Sequence, residues 1–160
     1  DIGSGEIREE NLAVSYEQGG RSWWAAAQNT APDAEHYNAL AEWCEQLDPS
    51  EQRQGFERVL NQLADFDVAG EGARKTVAGH WISLLADSGA FESAAIALIP
   101  RTAIYTGGRM KDGSFVAQVI PENSAGAHSR HARSLAMAWL AALLRALARQ
   151  SAEAKGAVAH

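Results

Sequence analysis

The stretch that most constrains the fold is the last long apolar pattern, Ser129 to Ala152. Leu135, Trp139, Leu140, Leu143, Leu144 and Leu147 recur at helical spacing. At about 100° per residue they cover roughly half of a helix circumference. The other half mixes Ala138, Ala141, Ala142 and Ala148 with Arg130, Arg145 and Arg149. So wide an apolar face, backed by alanines, demands contact on two sides. This segment is read as the central helix, beginning near Ser129.

A β-hairpin precedes it. Ile104–Arg109 and Ser114–Ile120 are the expected strands, joined at Lys111-Asp112-Gly113, where Gly can take positive φ. In the second strand Phe115, Ala117 and Val119 share one face. Gly107-Gly108 weakens the first strand and marks either a bulge or a close approach to the backbone. An isolated hairpin is marginal in water. It must pack on a helix, or its exposed edge must pair with another strand, a second chain's included.

The first 99 residues read as helices. Glu6–Tyr16 and Arg21–Asn29 are split by Gly19-Gly20, and Trp23-Trp24 point in different directions. Pro32 opens a helix to about Leu47, with Tyr37, Leu40, Cys44 and Leu47 in one stripe. Asp48-Pro49-Ser50-Glu51 supplies an Asp N-cap, Pro at N1 and Glu at N3. Phe56, Val59, Leu60, Leu63 and Phe66 follow on one face, predicting an antiparallel helix pair. Glu71–Asp87 is the next helix, with Val77, Trp81, Leu84 and Leu85 toward the core, His80 at the edge of that stripe, and Ser88-Gly89 as its stop. Ala90–Ile99 is read as a short helix ended by Pro100, although Ile96–Ile99 also suits a strand. Residues 153–160 are read as a loose tail.

Several function classes drop out. Asp65-Phe66-Asp67 opens like a calcium loop, but Ala69 and Thr76 hold positions that need oxygen ligands. Gly70 to Thr76 resembles a phosphate loop, but Arg74 stands where Gly belongs and no strand precedes it. A single cysteine, Cys44, excludes an intrachain disulfide and a multi-Cys zinc site, and its place in an apolar stripe makes it a buried thiol. No apolar run reaches the roughly 18 residues that a membrane span needs. The first residues show no signal-peptide pattern. A cytoplasmic location is expected.

Charge is uneven. The net value is −6; residues 1–75 carry 15 acidic and 6 basic side chains, residues 76–160 carry 5 and 8. An acidic helical layer beside a basic surface fits this, and so does head-to-tail self-association.

The densest basic cluster is the hairpin–helix junction. His128, Ser129, Arg130, His131 and Arg133 stand there, with Arg109 from the hairpin, and no acidic residue occurs from Asn123 to Leu147. Basic side chains at a helix start oppose the helix dipole, and such local conflicts concentrate at functional places. Free N–H groups plus Arg suit a bound anion, a nucleic acid or an acidic protein surface. The plain structural alternative is a set of internal ion pairs to the acidic half. Gly126 and Ser129 before a basic, Ala-rich helix resemble the close of the double-stranded-RNA-binding domain over about a third of the chain. Ser129-Arg130-His131-Ala132-Arg133 lacks one residue of that spacing, and two strands are visible, so no membership follows. Arg130-His131 is similar to the start of the histidine-phosphatase Arg-His-Gly motif, with Ala132 in place of Gly.

The expectation is one mostly helical α+β domain over residues 1–160, with an antiparallel hairpin and a long C-terminal helix. Residues 1–99 form its acidic helical part and 100–152 its hairpin and central helix. It is read as a non-catalytic binding or accessory protein, homo-oligomeric, without cofactor, metal or membrane contact. The alternative is a small enzyme for a phosphate or carboxylate ester, with His128 or His131 as base; metal binding by His128 and His131 would need a third ligand, for which His80 is the first candidate.

Overall fold

The strongest start signal forms as its residues dictate. The Asp48 carboxylate accepts from the Ser50 N–H at 3.0 Å, and the Asp48 N–H donates to Glu51 Oε1 at 3.2 Å. This reciprocal cap opens a 3₁₀ turn, Pro49–Glu51, that runs into a helix. The computed structural model describes residues 34–64 and 72–159; for residues 64, 72–78 and 155–159 only the backbone is described.

Among the described residues the helices are α1 (Ala34–Gln46), α2 (Gln52–Ala64), α3 (Gly72–Asp87), α4 (Phe91–Leu98) and α5 (Leu135–Ala159). The strands are β1 (Ile104–Arg109), β2 (Phe115–Ile120) and β3 (Ala127–Ala132), in the antiparallel order β1-β2-β3. The expected helices Glu6–Tyr16 and Arg21–Asn29, the Trp23-Trp24 pair, Pro32, Phe66 and the Asp65–Glu71 turn lie outside the described residues.

The stripes on α1 and α2 hold. Tyr37, Leu40, Cys44 and Leu47 are buried, as are Phe56, Val59 and Leu63. Phe56 stacks on Phe91, joining α2 to α4, and Arg58 lies over the Trp43 ring at 4.5 Å. The ambiguous stretch 90–99 resolves as a helix, Phe91–Leu98, ended before Pro100.

On α3 the stripe is displaced. Trp81 and Leu84 are exposed, at 58% and 48%, while Ile82 and Ala86 are buried and Leu85 is partly buried against the core. The apolar residues of α3 do not form one clean face, so periodicity offered two registers, and the one that packs is that of Ile82, Leu85 and Ala86. His80 is exposed rather than at a core edge. Gly89 ends the helix at φ +86°, as Gly does in a left-handed C-cap.

The principal corrections concern the last third. A third strand, Ala127–Ala132, occupies the stretch expected to start the long helix, and the helix begins at Leu135. Its N-terminus is served by Ser134, whose hydroxyl accepts from the Met137 N–H at 3.4 Å. The helix also runs past Ala152, to Ala159. The two extra features that make β3 are local. Asn123 at φ +61° and Gly126 at φ +78° turn the chain back after β2. A Cβ on Gly126 would stand 2.7 Å from the Val119 carbonyl oxygen, so only glycine fits this turn.

The hairpin pairs in regular register from Ile104↔Ile120 to Arg109↔Phe115. The Gly107-Gly108 pair therefore marks a close approach, not a bulge. A Cβ on Gly107 would meet Leu135 Cδ1 at 2.9 Å and Trp139 Nε1 at 3.1 Å. The Trp139 indole N–H uses that space to reach the Thr106 carbonyl at 3.1 Å. The bulge lies in β3 instead: Phe115 pairs with Ala132 and Ala117 with Ser129, leaving Arg130 and His131 opposite Val116 alone. His131 takes φ +65° to accommodate it.

α5 fulfils its two-sided pattern. Residues 136–144 are all buried, alanines included. The sheet covers one side and α1 the other, with α4 and α2 at the margin. Each buried leucine here removes enough surface to stabilise by about 1.5–3 kcal/mol.

Candidate functional site

The six residues singled out in the sequence are not gathered into one site. Strand alternation and the bulge divide them.

Ser129 turns inward and is buried. Its hydroxyl donates to Glu45 Oε2 at 2.6 Å. Arg145 of α5 binds the same carboxylate twice, Nη2 to Oε1 at 2.7 Å and Nε to Oε2 at 3.3 Å. Arg133 donates to Asp48 Oδ2 at 3.0 Å. The Asp48 carboxyl is held below the usual carboxylate range by the Ser50 backbone N–H and hydroxyl and, after them, by Arg133. Acidic α1 and its following cap thus take up Ser129, Arg133 and Arg145. For these residues the internal ion-pair alternative describes the structure.

Arg109 shares the α5-side face of β1 with Gly107 and Tyr105, and Tyr105 packs edge-on against Trp139. His131 sits at the bulge, near Asp112 of the β1–β2 turn. Asp112 is held below the usual range by the Ser114 hydroxyl and N–H, with the His131 charge a smaller cause.

His128 and Arg130 alone are brought together. Both are exposed and lie on the sheet face turned away from α5. With Thr106, Gly107, Gly108 and Gln118 they line a shallow groove of about 390 Å³. The register places Thr106 beside Gln118 and Gln118 beside His128, so one polar row crosses all three strands. The two glycines provide no side chains, and the groove floor there is backbone. Thr106, Gln118, His128 and Arg130 on this face are all exposed. Neither the His128 nor the Arg130 side chain makes a hydrogen bond or ion pair with another described residue.

The sequence did carry a signal for this arrangement. In Ala127-His128-Ser129-Arg130 the small residues alternate with polar ones, a period of two. The inward partners are so small that the strand lacks the branched and aromatic residues that usually advertise one. The Glu45–Arg145 pair had none: its partners are 100 positions apart.

Cys44 is buried, and burial pushes its thiol up to about 12, with Glu45 adding to the rise and Arg58 opposing it. It is no nucleophile in this environment. Among the described residues no three His, Cys, Asp or Glu side chains are grouped to hold a metal ion, and His80, His128 and His131 do not form such a set. No described helix is long and apolar enough to cross a membrane. Comparison with family models, curated proteins and solved structures found no match.

Proposed function

We propose that the protein is a non-catalytic binding or accessory factor that meets an acidic protein surface through the open face of its sheet. The observation that carries this is the placement of Arg130 and His128 over a groove with a glycine floor, unpaired with any described carboxylate. Arg130 supplies a planar two-point donor for a carboxylate. Thr106, Gln118 and His128 supply further hydrogen-bonding groups that set direction. A nucleic acid fits less well. Such contacts neutralise several phosphates, whereas one arginine lines the groove and the chain carries −6 overall. The small-enzyme reading has less support, because neither His128 nor His131 has a hydrogen-bonded partner among the described residues that would orient it as a base. Self-association in the cytoplasm belongs to the same proposal.

The test is fluorescence anisotropy with an oligoglutamate peptide and a DNA duplex of matched length, at 50 and 200 mM salt. The peptide binds, and Arg130→Ala with His128→Ala weakens it about tenfold or more, as loss of a charged hydrogen bond does. Preference for the duplex, with a steep salt slope, would transfer the face to nucleic acid. No binding of either probe, or an unaffected double variant, would remove the reading.

A further inference from the structure

We propose that two copies of the chain join β1 to β1 across a two-fold axis at Gly107, forming one continuous six-stranded sheet. This specifies the self-association in the reading above and does not depend on the anionic partner.

The main-chain directions come from the hairpin. The Met110 N–H donates to the Ser114 carbonyl at 2.7 Å, which makes these two a hydrogen-bonded pair. Alternation then makes Gly108–Val116, Thr106–Gln118 and Ile104–Ile120 the hydrogen-bonded pairs. The N–H and C=O groups of Tyr105, Gly107 and Arg109 therefore point away from β2. Among the described residues β1 is a sheet edge, and none of these groups bonds to another of them. The other edge is managed: β3 bears the bulge at His131 and is approached by α1. β1 has no proline, lysine or bulge to deter pairing.

The side chains select a second copy as the occupant. An antiparallel pair centred on Gly107 sets Tyr105 opposite the partner's Arg109, and Ile104 opposite the partner's Met110. Ile104, Tyr105 and Met110 are half of the large apolar side chains most exposed among the described residues, at 63%, 40% and 50%. The pairing covers all three. On the outer face Ile104 meets the partner's Met110 at both ends of the strand. On the α5 face the partner's Arg109 reaches the Tyr105 ring, a cation against an aromatic face. At the centre glycine faces glycine, and nothing obstructs the close approach of the two backbones. Like charges meet nowhere along the seven positions from Ile104 to Met110, and an isologous contact of this kind closes at two copies.

Sedimentation equilibrium between about 1 and 100 µM tests the mass, in the range expected of small interfaces. Twice the chain mass is expected at the upper end. Two double variants test the surface. Ile104→Lys with Met110→Lys sets like charges opposite and weakens the dimer by more than about tenfold. Ile104→Lys with Met110→Glu sets opposite charges together and retains it. Register is read by disulfide trapping. Thr106 stands opposite the partner's Gly108 in a non-hydrogen-bonded pair, with Cα atoms about 4.5 Å apart, within disulfide reach. A mixture of Thr106→Cys and Gly108→Cys chains therefore cross-links on oxidation far faster than either chain alone. A monomeric mass throughout overturns the proposal. So does a dimer that the Lys/Lys variant leaves intact, or cross-linking indifferent to the mixture. Peptide binding measured on the Lys/Lys monomer shows independently whether the groove reading stands.

Discussion

Glu45 and Arg145 lie 100 positions apart and meet through two hydrogen bonds, at 2.7 and 3.3 Å. The Glu45 side chain is 12% exposed and that of Arg145 31%, so water screens the pair only partly. Ser129 adds a third bond and ties the sheet to the same point. Arg145→Met leaves Glu45 with the serine hydroxyl alone. The expected loss is about 1–3 kcal/mol, the cost of an under-satisfied buried polar group. Adding Glu45→Leu to it recovers part of that loss, since an apolar pair leaves no stranded charge. Urea midpoints of the single and double variants check this.

Gly126→Ala combines a left-handed backbone with a Cβ pressed on the Val119 carbonyl. A destabilisation of about 2–4 kcal/mol is expected, from strain and overpacking together. Gly108→Ala, where a Cβ meets nothing within 4 Å, serves as the control. Thermal melts of both variants separate turn geometry from general loss of glycine.

Phe56→Ala and Leu63→Ala remove side chains that are 1% and 5% exposed, and each loses about 2–5 kcal/mol. Trp81→Ala removes a larger side chain that is 58% exposed, and its effect stays within about 0.5 kcal/mol. Denaturant midpoints that ranked Trp81 with Phe56 would restore the periodicity-based assignment of α3.

The buried Cys44 gives a pH dependence of definite sign. Its folded value is raised to about 12 from an ordinary 9.0, because burial penalises the thiolate. Tyr37 is likewise raised to about 12 from 10.0 by burial. The folded state then holds protons that the unfolded chain releases. Both contributions are complete below pH 9 and are lost as pH climbs from there toward 12. Unfolding free energies measured from pH 7 to 10.5 fall at the alkaline end, and Cys44→Ala flattens the early part of that fall. A thiol reagent modifies Cys44 slowly in the native protein and fast in denaturant.

What the sequence disclosed depended on the range of each interaction. Asp48 and Glu51 are three positions apart, so their cap was legible, as were the Tyr37–Leu47 and Phe56–Leu63 stripes. The central role of α5 was legible because both of its halves are apolar or small. β3 was hidden by its small inward residues, and its bulge breaks the period of two after four residues. The basic junction therefore resembled a helix start. Arg133 and Ser129 looked available because Asp48 and Glu45 lie 85 and 84 positions away. His128 and Arg130 were identified in sequence, but their company, Thr106 and Gln118 on neighbouring strands, follows only from strand register.

The position of α5 also dictates an order of events during synthesis. α1 finds its main packing surface on a helix that begins only at Leu135. Leaving the ribosome from the N-terminal end, α1 must wait for α5 to emerge before its apolar stripe is covered, whereas α2 can already meet α4 through Phe56 and Phe91. Contacts so distant in sequence make closure slow and leave early surfaces exposed. A nascent chain halted before Leu135 should therefore bind holdase chaperones, and release should coincide with emergence of the stretch from Ala136 to Ala148.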